Sequence, residues 1–388
     1  MHYNTILSQL QDFVPRHHFE NLVKTYSNDY YVKSFTSWNQ FTVLLYAQAS
    51  GKDSLRDIQN SLLAQESKLY HLGIKSVHRS TLADANQTRN YFTFEQLFYK
   101  ILEQTKKFTP KHKFKFKNPL YVLDATVIDL CLSTFNWAKF RATKGAIKMH
   151  CQFDHSGHIP TFAVITDGKQ HEITVAKSSF AILPDSIYCV DKAYIDFKWL
   201  YSIDKQRAFF VTRAKDNLNY TVVGQHTENN KKGIISDEII ALNGYYQQKD
   251  YPKKLRLIRY YDKETDKILT FLTNNFSLSA YTIASIYKAR WQIEIFFKWI
   301  KQNLKIKTFF GTSKNAVLTQ IWIAMCYYLL LTYIKYQTKY KYSLFYLHKV
   351  IKETILERLN LIDLLNINDI ILHKVKNTDQ QLCLALNF

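Results

Sequence analysis

The sequence predicts an α/β fold: a mixed sheet with helices, a β-rich insertion, and all-α regions before and after. Three observations predict it. Apolar residues recur at three- and four-residue spacing through the first hundred or so positions. At Leu120 the pattern changes to short apolar and β-branched runs. From Ser279 the helical spacing returns and holds to the end.

Residues 1–105 read as helices. Phe19–Tyr26 and Trp38–Gln48 carry the helical period. Ser54 with Asp57 forms a capping box that opens another helix, and Gly73 marks its stop. Ser80 is suited to cap a helix over Thr81–Arg89. The segments Ser54–Gln65 and Ser80–Arg89 together suit a helix-turn-helix. Arg79, Asn86, Gln87 and Arg89 would then meet base edges and phosphates. A purely structural bundle fits the same residues.

Residues 106–118 read as a basic linker with lysines at 106, 107, 111, 113, 115 and 117. From Lys111 the lysines alternate with His112, Phe114 and Phe116. An extended strand would put ammonium groups on one side and rings on the other. Such a segment can be a solvated connection or can lie on a phosphate backbone.

Strands are predicted at Leu120–Leu132, Ala146–Phe153, Ile159–Thr166, Ile187–Val190 and Ala208–Thr212, with a helix through Trp199 and Leu200. Residues 214–276 read as a β-rich insertion with runs at Tyr220–Val223, Leu255–Tyr261 and Ile268–Thr273. The predicted division is 1–105, 106–118, a mixed-sheet domain from 119–213 and 277–310, the insertion 214–276, and a helical region 311–388. Within the last, Ala316–Ile334 is long and apolar enough to cross a bilayer. With no second span, it reads as a buried helix of a soluble domain.

Composition narrows the function. The 388 residues hold 52 basic and 32 acidic side chains, a net charge of +20. That excess favours a polyanionic partner. Apolar residues at 47% exclude a mainly disordered chain. Cys131, Cys151, Cys189, Cys326 and Cys383 are far apart with no C-x-x-C, which points to a reducing cytosol. Met1–Phe13 lacks the pattern of a signal peptide, so none is expected.

Three carboxylates stand out. Asp124 interrupts an apolar run, where an ionised group needs a partner. Asp191 ends the run Ile187–Val190 at a strand's carboxyl end, where α/β sheets build sites; helix capping fits it too. Glu294 lies in Tyr287–Lys301, read as one continuous helix. There Tyr287, Arg290, Glu294 and Lys301 fall on a stripe about 60° wide. The remaining positions are so apolar that the helix is expected to be buried on most sides, its stripe lining a cavity. Three carboxylates can hold two divalent ions, and neighbouring cations can hold phosphate.

Other polar groups read less specifically. His150, Cys151, His155 and His158 are dense, but alternation along a strand separates them, so zinc is not expected. Asp167, His171 and Glu172 follow a strand and suit either a surface turn or a place beside the site. Asp129 is expected on the sheet face opposite Asp124, and Asp196 at a helix N-terminus.

The spacing Y-x2-R-x3-E-x6-K at Tyr287, Arg290, Glu294 and Lys301 resembles the signature of DDE transposases of bacterial insertion-sequence family four. Arg290-Trp291-x-Ile293-Glu294-x-x-Phe297-Lys298 is similar to the same family. Asp191-Lys192-Ala193-Tyr194-Ile195-Asp196 resembles its second-aspartate block, where arginine often replaces Lys192. Leu123-Asp124-Ala125-Thr126 resembles the first. The resemblance covers about 115–310, more loosely 1–105.

It implies a ribonuclease-H-like catalytic fold, and the 103 positions between Asp191 and Glu294 suit a β-rich insertion. It implies Asp124, Asp191 and Glu294 as catalytic residues holding two Mg2+ ions, with Mn2+ as a substitute. Tyr287, Arg290, Lys298 and Lys301 would hold DNA. The expected activity is cleavage at element ends and strand transfer into target DNA. The expected partners are double-stranded terminal repeats and target, a second copy in the DNA-paired complex, and no membrane. The expected place is the bacterial cytoplasm, at the nucleoid. A nuclease that does not join strands and an inactive DNA-binding protein are the rival readings.

Overall fold

The computed structural model describes residues 4–141, 144–226, 233–306 and 308–366. Cys383 and the end of the 311–388 region lie outside them, as does part of the predicted insertion. The chain forms two compact units, Met1–Thr109 with Trp299–Phe388, and Pro110–Lys298.

The first unit is helical. Its centre is Lys314–Gln337, which packs against Phe92–Lys106, Ser37–Ser50 and Arg79–Thr88. This is the long apolar segment: its most hydrophobic window is 94% buried inside the protein. The helical regions at either end of the sequence therefore share one core. Thr36 caps Ser37–Ser50 with a reciprocal box to Asn39. Ser54 accepts from the Asp57 N–H at 3.1 Å, whereas the Asp57 carboxylate takes the Asp53 N–H rather than that of Ser54. Gly73, at φ 64°, ends the following helical turns.

One local expectation needs correction here. Ser80 is not a cap: the helix starts at Arg79 after His78, and the Arg79 N–H donates to the side chain of Gln59 at 2.8 Å. No strand forms over the lysine run; residues 107–119 are irregular, although burial still alternates along them.

The second unit is built on one ten-stranded mixed sheet. Its strands are β1 Leu120–Leu130, β2 Lys139–Arg141, β3 Lys144–Asp154, β4 Ile159–Asp167, β5 Ile187–Val190, β6 Phe209–Arg213, β7 Tyr220–Gln225, β8 Ile234–Leu242, β9 Leu255–Asp262 and β10 Lys267–Thr273. The order is β2-β3-β1-β5-β6-β10-β9-β8-β7, with β4 on β3. Strands β1, β5 and β6 run parallel; the other pairs are antiparallel. The strands of the insertion extend the same sheet, because β10 pairs with β6.

One face of the sheet packs Leu123, Tyr188, Val190 and Phe210 against Ala176 and Phe180 of Glu172–Ser179 and Trp199, Leu200 and Ile203 of Phe197–Lys205. The opposite face carries Asp124 and Cys151, which share a rung of β1 and β3. Two residues along, Phe153 meets Phe296 at 5.2 Å, so the segment bearing Glu294 covers that face.

Candidate active site

Asp124 and Asp191 are brought together by strand register. Leu123 pairs with Val190 in the parallel β1–β5 ladder, and each aspartate is the next residue. The Asp191 carboxylate accepts the Lys192 N–H at 2.7 Å and caps the short turn Lys192–Tyr194. The two sequence readings of Asp191, strand-end site and cap, thus describe one residue.

The third carboxylate arrives on a broken helix, not the continuous one expected. Ala280–Ala289 ends, Arg290 forms a turn, and Trp291–Asn303 begins. Around the turn the bonds tighten to three-residue spacing: the Arg290 N–H donates to Tyr287 O at 3.1 Å, and the Ile293 N–H to Arg290 O at 3.1 Å. The segment is also less enclosed than expected, since Trp291 is 60% exposed and Ile295 is exposed as well.

The break places Arg290 between two carboxylates. Its guanidinium donates to Asp124 Oδ2 at 2.8 Å and to Glu294 Oε1. The Tyr287 hydroxyl donates to Asp191 Oδ1 at 3.4 Å. Three separate sequence blocks therefore meet through one guanidinium and one phenol. Burial raises the Asp124 pKa to about 6, against the Arg290 charge and the Ala125 N–H; Glu294 and Asp191 push the same way as burial. Burial opposes the Arg290 charge, but Asp124, Tyr287, Cys189 and Glu294 outweigh it and hold its pKa above the ordinary value. Burial pushes the Tyr287 phenol up, so it stays protonated and remains a donor.

Three carboxylates are a hard-oxygen donor set, which suits a hard divalent ion. As drawn together, two of them are engaged by a cation of the chain itself. Among the described residues, no group of three or more His, Cys, Asp or Glu side chains is arranged to hold a metal ion.

The other sequence candidates are placed as follows. Lys298 is exposed, in the same unit as the carboxylates. Lys301 lies in the helical unit. Arg79 and Gln87 are exposed there. Asn86 and Arg89 are buried, contrary to the surface position a reading helix would give them. Asn86 accepts from Gln40 at 2.8 Å, while Arg89 donates to Gln40 and Phe35 O and pairs with Asp29 at 3.8 Å. His150 faces away from Asp124 and contacts Thr166 at 3.0 Å. Glu172 accepts from Lys148 at 3.0 Å, and Asp196 caps Phe197–Lys205.

One polar cluster escaped sequence reading. Arg256 on β9 donates twice to Asp237 on β8, at 2.7 Å each, and to the carbonyls of Asn275 and Leu278. It ties the insertion to the loop that leads into Ala280–Ala289. An acid in a strand of mixed polarity gives no signal without its partner.

The Transposase DDE domain family model matches residues 115–330, and a domain of unknown function, DUF4372, matches 2–75. The transposase y4zB of Sinorhizobium fredii is 35% identical over 254 residues, 64% of this chain and 69% of that protein. The transposase assigned to insertion sequence element IS5377 of Geobacillus stearothermophilus is 27% identical, covering 69% of this chain and 70% of the relative. The one assigned to element IS4SA of Synechocystis is 22% identical, covering 81% and 87%.

Proposed function

Because the chain belongs to the transposase DDE family, we propose that it is a bacterial DNA transposase that cuts at the ends of an insertion sequence and joins the freed ends to target DNA. We place it in the subgroup with the Tyr287, Arg290, Glu294, Lys301 signature. The observation that carries the reading is Arg290 joining Asp124 and Glu294, 166 and four positions away in sequence, with Asp191 held by Tyr287 beside them. The alternatives, a nuclease without joining and an inactive DNA-binding protein, are outcomes of the test below.

Asp124, Asp191 and Glu294 are assigned as the residues that would hold magnesium, manganese substituting. When bound, two such ions would activate the attacking oxygen and stabilise the leaving one. The chain's own groups do the rest. Tyr287 orients Asp191 through a hydroxyl that stays protonated at neutral pH. Arg290 offsets the repulsion between clustered carboxylates and an incoming phosphodiester, and its planar fork can meet phosphate oxygens in two bonds. Lys298 and Lys301 are assigned to DNA as point charges. Arg79 and Gln87 remain candidates for DNA contact, whereas Asn86 and Arg89 would act by shaping their helix. Duplex terminal repeats and target are the proposed partners, with two copies pairing two ends in the cytoplasm.

The test uses purified protein, its flanking DNA ends and magnesium, comparing the parent with Glu294→Gln. Nicking at the end and joining of the 3′-hydroxyl to plasmid are followed separately. Cutting and joining, both lost in the variant while binding persists, support the proposal. Cutting without joining of a pre-cut end makes the chain a nuclease. Binding without cutting by either protein leaves the inactive DNA-binding reading.

A further inference from the structure

We propose that loop 111–118 is a prefolded docking surface for the phosphate backbone of duplex DNA. Lys111, Lys113, Lys115 and Lys117 are all exposed, with no acid among positions 111–117. Between them His112, Phe114 and Phe116 turn inward. The two phenylalanine rings stack at 5.2 Å and 15°, and His112 lies 4.7 Å from Phe116 and 5.7 Å from Phe114. Phe114 also meets His155, on the β3–β4 turn, at 5.6 Å. The loop is closed on itself: an imidazole nitrogen of His112 contacts Asn118 O at 2.8 Å, and the Asn118 amide donates to Asp185 O at 2.6 Å.

This arrangement holds like charges together. Alternate residues are at most about 7 Å apart along the chain, inside the ~8 Å screening length at physiological salt. Among the described residues no carboxylate pairs with these four ammonium groups. That repulsion acts in any conformation; what ring packing adds is a fixed loop that presents the four charges without the ordering a free linker would need. A small anion relieves one or two such charges at once. A duplex, with a negative charge every ~1.7 Å of axis, can relieve all four. The choice of DNA over another polyanion rests on the transposase reading.

The experiment measures duplex affinity of the full chain against salt, on its own flanking end and on an unrelated sequence. The variants are Lys111→Gln/Lys113→Gln/Lys115→Gln/Lys117→Gln, and Phe114→Ser/Phe116→Ser, which keeps every charge. Neutralising the lysines should lower the slope of log affinity on log salt by about 3–4, equally on both duplexes. In the phenylalanine variant the slope should fall by at least about half as much, with a parent-like thermal midpoint. An unchanged slope in the lysine variant overturns the proposal. A parent-like slope in the phenylalanine variant overturns the prefolded surface as well. Cutting by the parent is scored separately: binding that shows these slopes but never leads to cutting defeats the transposase reading and leaves the docking surface standing.

Discussion

Arg290 is the residue on which the site turns. It makes one bond to each of two carboxylates from different elements, a geometry that needs a planar fork. Lysine keeps the charge but has a single compact head. Arg290→Lys is therefore expected to cut at least about tenfold more slowly, at saturating DNA and magnesium, with an unchanged far-ultraviolet spectrum. A parent-like single-turnover rate would show that the fork has no role. The site residues were legible because each breaks its local pattern: Asp124 and Asp191 interrupt or end apolar runs, and Arg290 and Glu294 fall at a fixed spacing. Asn86 and Arg89 were not legible. Polar side chains that satisfy one another through Gln40 and Asp29 look, in sequence, the same as polar side chains facing water.

At the scale of elements, the parallel strands β1, β5 and β6 were readable from their continuous apolar runs. Strand β8 was not, because Ile234–Leu242 contains Ser236, Asp237 and Glu238. It is held in the sheet by pairing with β7 and β9, and Arg256 buries the Asp237 charge as a paired one. Removing one partner leaves the other charge buried and uncompensated, so Asp237→Asn should destabilise the second unit by about 3–5 kcal/mol. Chemical denaturation monitored by tryptophan fluorescence would measure it, and a change below about 1 kcal/mol would refute the assignment. The same strand is preceded by Gly233 at φ 86°, where an added Cβ would stand 2.8 Å from Tyr261 O. Gly233→Ala is expected to cost about 1–3 kcal/mol by the same assay. The break at Arg290 was equally hidden. Its flanks are helix-forming and Arg290 itself keeps helical backbone angles, so the change to three-residue bonding leaves no mark in the sequence.

For the whole molecule, the changes of period at Leu120 and Ser279 marked the sheet between two helical regions, but no local period reveals that the two ends build one helical unit. Burial leaves both units with groups that titrate abnormally. Burial lowers His150, His155 and His348 from 6.5 to about 4; neighbouring cationic groups add to it, opposed at His150 by Glu172. The folded protein keeps these rings neutral, whereas the unfolded chain protonates them below pH 6.5, so stability is lost as pH falls from 6.5 towards 4. Burial raises Glu95 from 4.5 to about 7 and Asp124 from 3.8 to about 6. These act in the opposite sense, since the fold binds a proton that the unfolded chain has released, and they add stability as pH falls from 7 towards 4. Three imidazoles against two carboxyls leave the unfolded state with about one more proton near pH 5.5, a slope of about 1.4 kcal/mol per pH unit. The thermal midpoint should therefore be nearly flat around pH 7 and fall towards pH 5. His348 isolates the effect in the helical unit, where it is enclosed by Trp299, Tyr327 and the Tyr327 hydroxyl at 3.0 Å. In that unit Glu95 opposes His348 and the two nearly cancel near pH 5.5, so the acid-side fall belongs to the sheet unit. His348→Gln leaves Glu95 unopposed, so the helical unit should lose stability at pH 7 but gain it as pH falls from 7 towards 5. A variant with the parent's pH dependence would show that this imidazole does not carry the effect.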